Sequence, residues 1–222
     1  MPRILHSGTR NASSWSMRAW LALVEAGIDF EERIVDLRVP QRYDNLAAIL
    51  RFSPPGAVPT LVDGDAVIYD SLAIMEYAND LSEGSLLPRQ PVARARARAL
   101  LAWQHAGLSG ICGELSFESA FFPNPRGMTE SELAQSSRLF DVWEAELGRS
   151  GGPYLAGALS LPDLAFVPTI IRLLAHAPGL GGWPAVQAWT DRLLARASVD
   201  KWMQEARLLP PVYPPVENGP IA

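Results

Sequence analysis

The sequence predicts an α/β unit followed by an all-helical unit. Three observations carry this. Strand-like and helix-like segments alternate over residues 1–82; no segment after Pro91 reads as a strand; and residues 83–91, between the two, hold two prolines and little to bury. Strands that must pair and helices that must cover them make an α/β layer, whereas successive helices without strands bury their apolar stripes on each other. With 48% hydrophobic and 19% charged residues, the chain has enough apolar material for a packed core and is unlike a disordered one.

Taken in order, residues 3–7 form a first short strand and residues 8–13 a polar loop. Met17, Trp20, Leu21 and Val24 recur at i, i+3, i+4 and i+7, one face of a helix that Gly27 ends. Residues 30–36, with Ile34 and Val35, read as a second strand, and residues 40–50 as a short helix broken by Pro54-Pro55-Gly56. Residues 59–62 and 66–69 flank Asp63-Gly64-Asp65, a tight-turn signal, and so predict a hairpin. Residues 71–79 are helical, with Leu72, Ile74, Met75 and Tyr77 as their apolar set. The helical unit, residues 92–222, is expected to hold helices over 92–117, 130–147, 161–176 and 186–194 and an extended proline-bearing tail from Pro210. Arg94, Arg96 and Arg98 alternate with alanines; they form either a solvated face or an anion or dimer contact.

The net charge of −5 argues against a nucleic-acid partner, whose footprint is basic. The single cysteine, Cys112, forbids an intrachain disulfide and suits a reducing, cytoplasmic setting. Neither a secretory-signal pattern nor an uninterrupted apolar run of about 18 residues is present, so no membrane span is expected.

Three segments bear chemistry. In Val58-Pro59-Thr60-Leu61 the proline leaves the preceding residue extended and can be cis in a tight turn. Val58 then offers its backbone as a free strand edge to a peptide-like ligand; the alternative is an ordinary trans proline at a strand start. In Asp70-Ser71-Leu72, Ser71 stands where a strand becomes a helix. It is either a plain N-cap or, with the free N–H groups, a carboxylate site, with Asp70 beside it to hold an ammonium or favour the helix dipole. In Ser13-Ser14-Trp15-Ser16-Met17-Arg18, hydroxyls precede a helix N-terminus. They either cap the helix, Ser16 being the best placed for that, or stabilise an anion such as a thiolate. His6, His105 and His176 are available, but no Gly-x-Ser-x-Gly elbow surrounds the serines, which argues against a serine hydrolase.

In this register the three segments resemble the glutathione site of cytosolic glutathione transferases, and Ser160-Leu161-Pro162-Asp163 and Trp183-Pro184-Ala185-Val186 are similar to that family's helical-domain capping box and late helix start. The resemblance implies a thioredoxin-like α/β domain followed by an all-α domain. It implies glutathione as cosubstrate: Val58, before a cis Pro59, pairs with its cysteinyl backbone, and Asp70 and Ser71 hold its γ-glutamyl end. Ser13, with Ser14 second, donates to the sulfur, as in the serine-type zeta-, theta- and phi-like classes. A hydrophobic electrophile then lies near Trp15, His105, Cys112 and Phe117, and no metal takes part. The expected activity is thiolate transfer in detoxification by a homodimer; the alternatives are a maleylacetoacetate isomerase-like reaction and a non-catalytic binding module. The family usually has Glu or Gln where Asp70 stands, and Trp15 replaces a cysteine of the zeta-class motif.

Overall fold

The computed structural model describes residues 2–122, 126–177 and 179–212. Its first half is a four-stranded sheet of order β2-β1-β3-β4, with β1 Ile4–Gly8, β2 Glu31–Val35, β3 Thr60–Asp63 and β4 Ala66–Tyr69. β1 runs parallel to β2 and antiparallel to β3; β3 and β4 form the expected hairpin around Gly64 (φ 58°). Leu5 and Leu61 are register partners across β1 and β3 and both are fully buried. The helices of this half are α1 Ser14–Glu25, α2 Gln41–Leu50 and α3 Ser71–Leu81. This is the thioredoxin-like arrangement, and a helical half follows it.

α1 packs against α3 and, across the halves, against the later helix α7, Leu161–His176. It is therefore buried on more than the one face its periodicity marks: Ser16, Arg18, Ala19, Ala22 and Leu23 lie inside together with Met17, Trp20 and Leu21. Val24, the last residue of the predicted stripe, is exposed instead, because the stripe runs out from under its cover in the final turn.

Two expectations for the helical half need correction. The single helix predicted over 92–117 is three pieces: α4 Pro91–Ala102, a π-helical turn Trp103–Gly107, and α5 Ser109–Glu114, after which the chain makes a 3-10 turn at Phe117–Phe121. The indole of Trp103 lies over Gly107, where a Cβ would come within 2.5 Å of it, and Gly110 and Gly113 weaken the helix that follows. The helix α9, Ala197–Arg207, was not predicted; Val199, Trp202 and Ala206 bury its narrow stripe. Helices α6 Glu130–Ser150, α7 and α8 Pro184–Leu194 stand where expected.

α7 is the centre of the core, buried without a gap from Leu161 to Leu173. Its start is fixed by Asp163, whose carboxylate accepts from Ser160 N–H (2.9 Å) and Oγ (2.6 Å), Leu155 N–H (2.9 Å) and Trp189 Nε1 (2.9 Å). α8 starts at the N-cap Trp183, with the first N–H groups taken by Glu144. Arg98 forms a bidentate pair with Glu76 of α3, so this member of the arginine row is engaged within the chain. The tail begins by crossing the first loop, where Asn11 Nδ2 donates to the carbonyls of Leu209 (3.3 Å) and Pro210 (3.0 Å); Pro214, Pro215 and Pro220 lie outside the described residues. Among the described residues no helix is long and apolar enough to cross a membrane.

Candidate functional site

The loop between β1 and α1 fixes the serine cluster. Gly8 N–H donates to Ser16 Oγ (2.9 Å); Ser13 Oγ donates to the same oxygen (2.8 Å) and accepts from Ser16 N–H (3.3 Å). Gly8 is required by this closeness, since a Cβ there would lie 2.8 Å from Ser13 Cβ. Ser13, not Ser16, is thus the N-cap of α1, and Ser16 ties the helix back to the strand. The neighbours Ala12 and Ser14 line a cavity.

On one side of Trp15 lies a cleft of about 490 Å³ walled by Val58, Pro59, Tyr69, Asp70, Ser71 and His105. The Val58–Pro59 peptide is cis, and the backbone of Val58 has no hydrogen-bond partner among the described residues. Asp70, not Ser71, caps α3: it takes φ 75°, a region that Asp tolerates better than most residues, and Oδ1 accepts Leu72 N–H at 2.7 Å. Its Oδ2 lies 3.5 Å from His105 Nε2. Ser71 is the first helical residue, buried, and its Oγ accepts from Arg18 Nη2 at 2.7 Å, leaving its own proton to donate.

On the other side of Trp15 lies a second cavity of about 450 Å³, with Ser14, Gln104, Cys112, Phe117, Pro168 and Arg172 in its wall. Trp15 and His105 are common to both spaces, their rings edge to face at 5.2 Å and 86°. Arg18 stacks on Trp15, its guanidinium carbon 3.9 Å from the ring centroid, and donates to Gln104 as well as to Ser71. Gln104 Nε2 donates to Thr169 Oγ1 (3.3 Å), which is 3.9 Å from Cys112 Sγ. A polar chain therefore runs from Ser71 in the cleft to Cys112 in the cavity. Burial lowers the pKa of Arg18 to about 9 and lowers that of Arg172.

The ten residues singled out in the sequence thus lie around one partition. Val58, Pro59, Asp70 and Ser71 border the cleft and Ser14, Cys112 and Phe117 the cavity, with Trp15 and His105 bordering both; Ser13 is in the cap between two cavity-lining neighbours. The three histidines do not gather. His6 packs on Phe52, and His176 meets Ser119 Oγ at 2.7 Å with its other ring nitrogen facing the carbonyl of Arg126, not a carboxylate. Sequence reasoning gave no role to Arg18, Gln104 or Arg172. The available signal was a cation inside the apolar stretch 164–174, and another on a helix buried on several faces.

Residues 12–81 match the family model described as glutathione S-transferase, N-terminal domain, and residues 129–192 the model described as glutathione S-transferase, C-terminal domain. Glutathione S-transferase 3 of Zea mays is 31% identical over 210 residues, spanning 88% of this chain and 91% of that protein. Glutathione S-transferase F10 of Arabidopsis thaliana is 32% identical over 196 residues, spanning 82% and 89%. A crystal structure of a glutathione transferase homolog from Burkholderia with bound glutathione superposes with a TM-score of 0.69 at 25% identity, covering 93% of this chain and 98% of that one.

Proposed function

The chain belongs to the glutathione S-transferase family, and from that premise we propose that it binds glutathione in the cleft along Val58 and Ser71, ionises its thiol at the start of α1, and delivers the sulfur to an electrophile in the cavity beyond Trp15. The observation that carries this reading is the shared wall: the two spaces meet at Trp15 and His105, beside the N-terminus of α1. The unpaired backbone of Val58 suits the cysteinyl backbone of the tripeptide. The Ser71 hydroxyl and the helix N-terminus suit a carboxylate, and the Asp70 carboxylate suits the ammonium at the γ-glutamyl end.

A free cysteine thiol has a pKa of about 8.5, so the reactive anion is a minority species at neutral pH. A hydroxyl donor at the positive end of a helix lowers that value. Ser13 is our choice for the donor, making this a serine-type enzyme. It stands at the N-cap, and its proton can turn from Ser16 Oγ, which already accepts from Gly8, towards a sulfur. Ser14, on the cavity wall, is the competitor. Titrating the thiolate absorbance of bound glutathione in Ser13→Ala and Ser14→Ala distinguishes them: the donor's variant raises the midpoint with little loss of binding. If neither variant moves it, a serine does not activate the sulfur. Binding of glutathione without turnover of any electrophile would make the chain a binding module instead.

We further read the protein as a cytoplasmic homodimer acting in detoxification. Its support is the family and the predominance of two-fold homodimers among soluble oligomers. A monomer by sedimentation at micromolar concentration would contradict the dimer.

A further inference from the structure

Two guanidinium groups stand in the wall of the cavity beyond Trp15, and among the described residues neither forms an ion pair with a carboxylate. Arg18 is 2% exposed and Arg172 4%. Buried charges are ordinarily paired, because desolvating an uncompensated cation is costly. The partners of Arg18 are neutral: Gln104, the Ser71 hydroxyl and the Trp15 ring. Arg172, on α7, donates from Nε to the Pro168 carbonyl (3.3 Å) and from Nη1 to the carbonyls of Cys112 and Leu115 (the latter at 3.2 Å). Its Nη2 has no acceptor among the described residues. These bonds hold the guanidinium in place at the cavity wall and leave one of its edges unspent. Asp70, which caps α3 and lies 3.5 Å from His105, acts on Arg18 through its charge without an ion pair, and Glu118 accepts from the N–H of Val212; neither acid forms an ion pair with Arg172. Arg172 also repels Arg18, though less than Asp70 attracts it, so a negative charge at Arg172 offsets that repulsion.

We propose that this cavity selects an electrophile bearing a carboxylate, bound by Arg172 with the charge of Arg18 behind it. The inference rests on the transferase reading and narrows its substrate class from apolar to anionic. It also answers a problem of that chemistry: a thiolate approaching an anionic partner meets a repulsion that two buried cations offset.

The test compares 4-chloro-3,5-dinitrobenzoate with its methyl ester. In both, the glutathione sulfur attacks the carbon bearing chlorine; a C–S bond forms, the C–Cl bond breaks, chloride leaves with the bonding pair and the thiol proton passes to solvent. Rates are divided by the uncatalysed rate with glutathione, and binding of each purified glutathione conjugate is measured by calorimetry. The expected result is a preference for the acid over the ester of about tenfold or more, the size of one charge-assisted hydrogen bond. Arg172→Met should lose the acid's advantage over the ester, and Arg172→Lys should keep part of it. Equal treatment of acid and ester, or preference for the ester, by a chain that binds glutathione overturns this inference alone. Failure to bind glutathione or either conjugate overturns the transferase reading with it. The wild-type comparison decides the matter even if Arg172→Met does not fold.

Discussion

The cleft beside Val58 and the cavity beyond Trp15 share a wall yet are built differently. The cleft is built around main-chain groups: the unpaired backbone of Val58 before a cis proline, a helix start and two short side chains at a cap. The cavity is made from long side chains that reach in from α1, α7 and the irregular stretch after α4, and two of them are buried cations. A main-chain site suits a constant ligand, because backbone groups cannot vary with sequence. A side-chain site can be retuned residue by residue, which suits the variable partner.

The largest test of this contrast is Asp163→Ala. If the cavity depends on the placement of α7, removing the carboxylate at its start leaves Ser160 N–H, Leu155 N–H and Trp189 Nε1 without an acceptor. The expected loss is on the order of 3–5 kcal/mol of unfolding free energy, measured by denaturant titration. A loss below about 1 kcal/mol would mean that α7 is held by its packing alone.

Next comes Ser71→Ala. Loss of a charge-assisted contact should weaken glutathione binding by about 1.5–3 kcal/mol in calorimetry. Equal affinity in the two proteins would remove Ser71 from the site. Because Arg18 loses an acceptor in the same variant, kcat/KM for the electrophile should fall as well; an unchanged value at saturating glutathione would show that the two spaces are independent.

Much of the cleft was legible in the sequence. Pro59, Gly64 and the pair Asp70-Ser71 restrict the backbone locally, and a local restriction can be read from neighbours in the chain. Even there the assignment of caps was off by one residue at α3 and by three at α1, since which hydroxyl turns inward depends on how closely Gly8 passes Ser13. The cavity was only partly legible. Trp15, His105, Cys112 and Phe117 were placed near it by resemblance, but Arg18, Gln104 and Arg172 come together only through the packing of α1 on α7 and the π-helical turn at Trp103–Gly107. The turn carries a local pair, the Trp103 indole over Gly107 four residues on, but apolar periodicity alone does not distinguish that pair from an ordinary helical one.

Smaller effects sharpen the contrast. Ser13→Ala should cost about 1 kcal/mol as a lost N-cap, while Ser14→Ala should leave thermal stability within a few tenths of a kcal/mol. An equal loss in both would contradict the cap geometry. The smallest effect concerns Glu132, at the start of α6, where hydrogen bonds from Arg126 hold its carboxyl at about 2, below its ordinary 4.5. The folded state therefore favours the ionised form, so its contribution is present above pH 4.5 and is lost as the pH falls towards 2. Arg126 is half exposed, so the step should be below about 1 kcal/mol. Glu132→Gln should flatten it in acid unfolding curves, and an unchanged slope would assign the acid sensitivity to other groups.

Trp15 has an optical consequence. The chain has seven tryptophans, and Trp15, 44% exposed, is the one that stands well out in water; the other six are buried or half-buried. Its indole is flanked by Arg18 at 3.9 Å and His105 at 5.2 Å and borders both spaces. A ligand entering from either side strips water from one face of the same chromophore, so its emission should move to shorter wavelength in two separable steps. The partition between the reactants thus doubles as an intrinsic gauge of how full each compartment is, readable in a cuvette without a label.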